Sequence, residues 1–158
     1  RRLLPFCTFK VKLLVYWHSP VSGDDFNALF RPMKDRGGII QYEKNKSELD
    51  ADDVKLVDDV YAAQKGASWF FVVARASPEG SVTHNRDLSK ARAEAVMNHL
   101  RTKFKDQDLE KEVGMLWLGE EFAQLATEFC NWKRSSTGSC TPEEINRSAF
   151  VAWIDCQL

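Results

Sequence analysis

The sequence predicts one α/β domain, a sandwich of helices on a mixed sheet in the order β-α-β-α-β-α-β, preceded by an N-terminal arm or extra strand. Three observations predict it. Short apolar runs rich in β-branched and aromatic residues recur at Ile39 to Tyr42, Trp69 to Ala74, Val113 to Leu118 and Ala149 to Asp155. Between them lie stretches whose apolar residues return at helical period. The composition, 44% apolar with 11% aromatic residues over 158 positions, supplies the bulk for one core and lacks the signature of disorder.

Residues 1 to 37 read as the arm. Lys10 to Trp17 has a strand pattern, Asp25 to Phe30 a short helical one, and Ser19-Pro20, Ser22-Gly23, Arg31-Pro32 and Arg36-Gly37-Gly38 are turn signals. The domain proper is residues 38 to 158. Ile39 to Tyr42 opens it as a strand, with Asn45 and Ser47 as turn and cap residues. Asp50 to Gln64 then places Val54, Val57, Val60 and Tyr61 on one side of a helix, with Asp50, Asp52 and Asp53 in the first turn, where the helix dipole favours acids. Trp69 to Ala74 is apolar throughout, the pattern of a strand buried on both faces. After the turn Ser77 to Ser81 comes the longest helix, Asp87 to Phe104, with Leu88, Val96, Leu100 and Phe104 inward. Val113 to Leu118 is the third strand, Glu120 to Phe129 a short helix carrying Phe122, Leu125 and Phe129, and Ala149 to Asp155 the closing strand.

Charge and composition exclude some functions. Lys and Arg number 22 against 23 Asp and Glu, a net charge of −1, which removes the global attraction to polyanions and argues against a nucleic-acid partner. No apolar run approaches the ~20 residues needed to span a bilayer. The best, Val11 to Trp17, is short and contains Lys12. The chain opens on Arg1-Arg2 rather than Met, and an upstream segment is expected to have been removed. Cys7, Cys130, Cys140 and Cys156 form no Cys-x-x-Cys pair, and His18, His84 and His99 have no ligand spacing, so neither a metal site nor a cofactor is expected. An even cysteine count fits disulfides made in an oxidising compartment; the competing reading is four buried thiols in a cytosolic protein. Three pairings are open. One closes Asn131 to Ser139 through Cys130 and Cys140 and leaves Cys7 with Cys156 to tie the arm to the last strand.

The stretch Ser77 to Val96 joins a special turn to a helix that breaks its own amphipathic rule. Asn85, Leu88 and Arg92 project from one face, and Arg92 falls inside the apolar stripe between Leu88 and Val96. A guanidinium there needs a partner. Its planar fork matches a carboxylate ligand, and the start of the helix adds backbone donors for the same anion. The competing reading is an internal ion pair, with Glu79 or Glu43, that orders the turn.

The same residues resemble the core of the OmpA-like peptidoglycan-binding domain, shared with the MotB stator subunit. Its pattern is a Gly-Ser turn, then aromatic-Asn-x-x-Leu-Ser-x-x-Arg-Ala-x-x-Val, matched here by Gly80-Ser81, Asn85, Leu88-Ser89, Arg92-Ala93 and Val96. Tyr42 to Leu49 upstream and Asn146-Arg147 before the last strand resemble the flanking motifs, so the resemblance spans Gly38 to Cys156. It implies non-catalytic recognition of the peptidoglycan stem peptide at its diaminopimelate residue. Arg92 would pair with the ligand carboxylate, Asn85 and Leu88 would frame the pocket, Ser77 and Glu79 would stand at its mouth, and Arg147 would be a further contact. Two positions depart from the family. Ser77 stands where an Asp takes the ligand ammonium, which lowers affinity unless Glu79 replaces it, and His84 stands where an aromatic is usual.

The tail, through Gly119-Glu120-Glu121-Phe122, Phe129-Cys130-x-Trp132 and Cys140 to Cys156, resembles the ZorB-type MotB-like subunit of the Zorya anti-phage complexes. That implies a periplasmic domain of a bacterial inner-membrane protein, a homodimer, and a membrane partner of MotA/ZorA type reached through a segment outside this chain. An outer-membrane or lipoprotein anchor would use the same domain, and a dimerising scaffold could keep the frame without peptidoglycan binding. The enzymatic rival is a peptidoglycan hydrolase, built either from a cysteine with His84 or His99 or from the acid pairs Glu120-Glu121 and Glu143-Glu144. His99 reads better as a satisfied core histidine, and adjacent acids near helix starts as dipole partners.

Overall fold

The apolar runs meet in one four-stranded sheet. β1 (Gly37–Gln41), β2 (Ser68–Ala74), β3 (Val113–Trp117) and β4 (Ser148–Asp155) lie in the order β1-β4-β2-β3, with β4 antiparallel to both neighbours and β2 parallel to β3. The sheet is therefore mixed, as the sequence predicts. The computed structural model describes residues 22–64, 68–105 and 108–155. The expected strand Lys10 to Trp17, Cys7, His18 and Cys156 lie outside them.

Side chains alternate across the sheet and feed two cores. Phe70, Val72, Ala74, Val151 and Trp153 pack with helices α2 (Ala51–Ala62) and α3 (Val82–Lys103) on one face. Phe71, Val73, Phe150, Ala152 and Ile154 pack on the other face with helix α1 (Gly23–Ala28), a 3-10 turn at Arg31–Arg36 and the long connection before β4. Burial of β2 on both faces explains its uninterrupted apolar run. At the crossing of β2 and β3, the Trp69 indole lies where a side chain at position 114 would stand: a Cβ on Gly114 would come 2.2 Å from Trp69 Cζ2.

The helices begin where the caps dictate. Asp50 and Asp53 form a capping box, which buries Asp53 and sets the inward stripe as Leu56, Val57, Val60 and Tyr61; Val54, expected inward, is only half-buried. Helix α3 starts at Val82, five residues before the expected Asp87, because Ser81 Oγ accepts from His84 N at 3.1 Å. Its first turn is polar and carries no apolar period to announce it. Leu88 is half-buried and Ser89 takes the fully buried place. Short helices α4 (Leu109–Glu112) and α5 (Pro142–Asn146) were not predicted.

The expected helix Glu120 to Phe129 does not form. A 3-10 turn appears only at Thr127–Asn131, and Gly119 and Ala123 adopt positive φ of 60° and 55°. The backbone of this loop is claimed by side chains from elsewhere. Asn27 Nδ2 donates to the Ala123 and Gln124 carbonyls, each at 3.1 Å, and Asn146 bonds both the N–H and the C=O of Leu125. Those tertiary bonds replace a helical ladder.

Cys130 and Cys140 form a disulfide, with Cα atoms 5.9 Å apart. It closes a loop that covers the outer edge of β1: Ile39 N donates to Lys133 O at 2.8 Å and Ser135 N to Ile39 O at 2.9 Å. An unpaired edge strand invites association, and this one is shielded. Among the described residues no helix is long and apolar enough to cross a membrane, and no group of three or more His, Cys, Asp or Glu could hold a metal ion.

Candidate functional site

A narrow cleft lies between the turn after β1, the turn after β2 and the first turns of α3. Ser77, Glu79, Asn85, Leu88, Arg92 and Arg147 line it, joined by Lys44 and Asn45. Five candidates from the stretch Ser77 to Val96, and Arg147 from before the last strand, thus meet at one place. His84 does not line the cleft; it is exposed and its Nε2 lies 3.2 Å from Asn45 Oδ1.

The turn after β2 is set by its own hydrogen bonds. Glu79 N donates to Ser77 O at 2.7 Å, and Gly80 then takes φ +113°, a conformation that would strain any L side chain. Ser81 caps α3 directly afterwards, which puts Asn85 and Arg92 on the side that faces β1 and β2.

Arg92 is fully buried. Its Nε donates to Lys46 O at 2.9 Å, Nη1 to Arg75 O at 3.0 Å and Nη2 to Glu43 O at 3.4 Å, and the guanidinium sits 5.0 Å from the centre of the Tyr42 ring. The internal ion pair weighed from the sequence is absent. Among the described residues no carboxylate hydrogen-bonds Arg92, and Glu43 contributes a carbonyl instead. Burial pushes the Arg92 guanidinium down to about 10, still charged at neutral pH. Burial likewise pushes the Tyr42 phenol up, and its hydroxyl donates to Arg92 O at 3.3 Å.

Glu79 pairs with Arg147 rather than with Arg92. Arg147 Nε and Nη2 reach its two oxygens at 2.8 and 2.9 Å, Lys44 Nζ stands at 3.3 Å, and Ser77 Oγ donates at 2.6 Å. The Ser77 hydrogen bond, then that from Arg147, holds the carboxyl well below the usual range, at about 2. Asn85 is buried and donates through Nδ2 to Glu120 Oε2.

The remaining candidates lie elsewhere. Glu121 pairs with Arg86 on the surface at 2.6 Å, so Glu120 and Glu121 serve α3 and start no helix, contrary to expectation. Glu144 does close a capping box with Thr141, as adjacent acids at a helix start should. His99 Nε2 lies 2.8 Å from Asp58 Oδ1 between α2 and α3. Cys130 and Cys140 are bonded to each other, so among the described residues no free thiol stands near a histidine.

Sequence reasoning missed three contributors. Lys44 and Asn45 enter the cleft because Asn45 adopts φ +59° and folds the turn after β1 over α3; the turn was legible but its direction was not. Arg75 carries no sequence signal. It is fully buried, its Nε donates to Ala123 O and its Nη2 to Asn27 Oδ1, both at 2.7 Å, and burial pushes it down to about 9.

No protein-family model and no curated protein matches the chain. Among solved structures, the peptidoglycan-associated lipoprotein from Burkholderia pseudomallei is similar at 17% identity over 73% of this chain and 89% of that one, with a TM-score of 0.53. The periplasmic domain of Helicobacter pylori MotB (12% identity, 72% and 69% covered, TM-score 0.49) and the cell wall anchor of the T6SS from Pseudomonas aeruginosa (14%, 79% and 78%, 0.48) also match. The first likeness shares the fold, and the other two add nothing to it. The mixed sheet with its helices is the OmpA-like arrangement expected from the sequence.

Proposed function

We propose that this domain is a non-catalytic anchor that binds the peptidoglycan stem peptide through the cleft around Arg92. One observation carries the reading: a fully buried guanidinium lines a cleft with five other residues singled out from the sequence, and among the described residues no carboxylate answers it. Two of its N–H groups have no side-chain partner among the described residues, and a ligand carboxylate would take them. Arg92 takes a stem-peptide carboxylate, Asn85 and Leu88 frame the acid, and Ser77, Glu79 and Arg147 form the mouth. The fold shared with a peptidoglycan-associated lipoprotein supports the same assignment.

The wider setting belongs to the proposal too. We read the chain as the periplasmic part of a MotB-like stator subunit of the ZorB type, dimeric, and joined to a MotA/ZorA-like membrane subunit through a segment outside this chain. An outer-membrane or lipoprotein host would use the same cleft, so the binding test is independent of the host.

The test is co-sedimentation with purified diaminopimelate-type sacculi, comparing the native chain with Arg92→Lys, which keeps the charge and loses the fork. Thermal melts confirm that both are folded. The native chain should pellet and the folded variant should stay in solution. A native chain that remains in the supernatant, or a folded variant that pellets equally, overturns the reading.

A further inference from the structure

The charges of the cleft narrow its ligand; the inference rests on the reading above. Of the eight lining residues, Lys44, Arg92 and Arg147 are cations and Glu79 alone is a carboxylate. An ionised carboxylate offers about four lone-pair sites. Those of Glu79 are taken. Oε2 accepts from Ser77 Oγ at 2.6 Å and Arg147 Nε at 2.8 Å, while Oε1 accepts from Arg147 Nη2 at 2.9 Å and lies 3.3 Å from Lys44 Nζ. Glu120, which accepts from Asn85, is not among the lining residues.

On the donor side the cleft has capacity left. Arg92 uses three of its five N–H groups on the Lys46, Arg75 and Glu43 carbonyls. One N–H on each terminal nitrogen remains, and among the described residues no side chain takes either. A ligand ammonium would have to expel Lys44 from Glu79 and then sit among three cations. A ligand carboxylate would instead take the two unspent N–H groups of Arg92.

We propose that this cleft selects an acidic group with no free ammonium beside it: in peptidoglycan, a diaminopimelate whose side-chain amine is acylated, as in a cross-link, in preference to the free-amine form. Acylation turns the amine into a neutral amide and leaves the carboxylate for Arg92. Lys44 is the residue that sets the preference, because it holds the position at Glu79 that a ligand ammonium would need.

Calorimetric titration of the intact chain tests it with two soluble probes, the tripeptide L-Ala–D-Glu–diaminopimelate and the same tripeptide acetylated on the side-chain amine. The acetylated probe should bind about tenfold tighter or better. Ser77→Asp, which adds an unspent carboxylate, should shrink or reverse that ratio, and Lys44→Ala should raise affinity for the free-amine probe. Equal binding, or tighter binding of the free-amine probe by the native chain, overturns the selectivity. If neither probe binds while sacculi still pellet in an Arg92-dependent way, the selectivity is overturned and the anchor stands. If sacculi do not pellet either, the anchor reading fails and takes this inference with it.

Discussion

Asn146→Ala should cost this domain about 3 kcal/mol, because one carboxamide does the work that a helix was expected to do. Asn146 is buried at the end of α5, where Oδ1 accepts Leu125 N at 2.7 Å and Nδ2 donates to Leu125 O at 3.0 Å and Pro142 O at 2.8 Å. Truncation removes three hydrogen bonds and leaves the Leu125 N–H and C=O without their partner in a protected place. Each bond contributes roughly 1 kcal/mol net, and a stranded buried group costs about 1–3 kcal/mol, so 3 kcal/mol is a lower figure. At about 2–4 °C per kcal/mol for a chain of this size, the melting temperature should fall by about 10 °C. Urea denaturation should show a lower midpoint at unchanged slope. Arg147 follows Asn146 directly, so the same variant should loosen the Arg147–Glu79 pair and weaken sacculus binding. A loss below about 1 kcal/mol would mean that packing around Phe129 and Ile145, and not the carboxamide, holds the loop.

Asn146→Asp sharpens the test by giving the effect a pH sign. The carboxylate keeps the acceptor for Leu125 N but faces the carbonyls of Leu125 and Pro142, and burial also disfavours the ion. Its folded pKa is therefore raised above the unfolded value. The folded state then binds the extra proton first, so the variant should regain stability as pH falls from that raised pKa towards the ordinary carboxylate range. The alanine variant should show no such recovery.

Three further outcomes follow from the fold and the cleft. Gly114→Ala would put a Cβ 2.2 Å from Trp69 Cζ2 and displace the indole, lowering stability by about 1–3 kcal/mol in a urea titration; an unchanged midpoint would contradict the close approach. Glu79 has a depressed folded pKa, so its contribution is present above the ordinary carboxylate range and disappears as pH falls through about 2. Because the group is partly exposed, the stability difference between the native chain and Glu79→Gln should be no more than about 1 kcal/mol above pH ~5 and should vanish towards pH ~2; a difference that grows in acid would refute the pairing. Cys130→Ser with Cys140→Ser should cost about 2–4 kcal/mol and speed hydrogen exchange at the Ile39 amide, which bonds Lys133 O in the stapled loop. Unchanged exchange there would show that the edge cover holds without the bridge.

The sheet was legible because its strands announce themselves by composition, and burial on both faces left β2 no polar position to confuse the period. The cleft was legible for a different reason. Arg92 breaks an apolar stripe, and Gly80-Ser81, Asn85 and Leu88 stand at fixed offsets from it along one turn and one helix. What failed was whatever depends on partners distant in the chain. Glu120 to Phe129 has helical periodicity, yet Asn27, Arg75 and Asn146 bid for its carbonyls and amides from 21 to 97 positions away. Glu79 was expected to be available at the mouth, but Arg147, 68 positions on, engages it with two nitrogens. Lys44 lies in a stretch that the resemblance covers but carries no signal of its own, and it enters only because Asn45 turns the chain in the left-handed region.

Two buried arginines meet at the end of β2, and their surroundings separate a structural cation from a binding one. Arg75 N donates to Ser148 O, and its carbonyl receives Arg92 Nη1, so the same residue closes the sheet and seats the cleft's guanidinium. Its own side chain turns the other way, to Ala123 O and Asn27 Oδ1, beside Phe30, Phe129 and Trp132. Its donors serve α1 and the loop before β4. Arg92 is held by carbonyls too, but it shares its cleft with the cations Lys44 and Arg147 and with residues of the α3 start. Two buried guanidinium groups, neither paired with a carboxylate, thus have different surroundings and different expected consequences. Replacing the guanidinium of Arg75 should register in stability, through the stranded acceptor on Asn27, whereas Arg92→Lys should register in binding, because an ammonium can keep part of the carbonyl cage but cannot present two parallel N–H groups to a carboxylate.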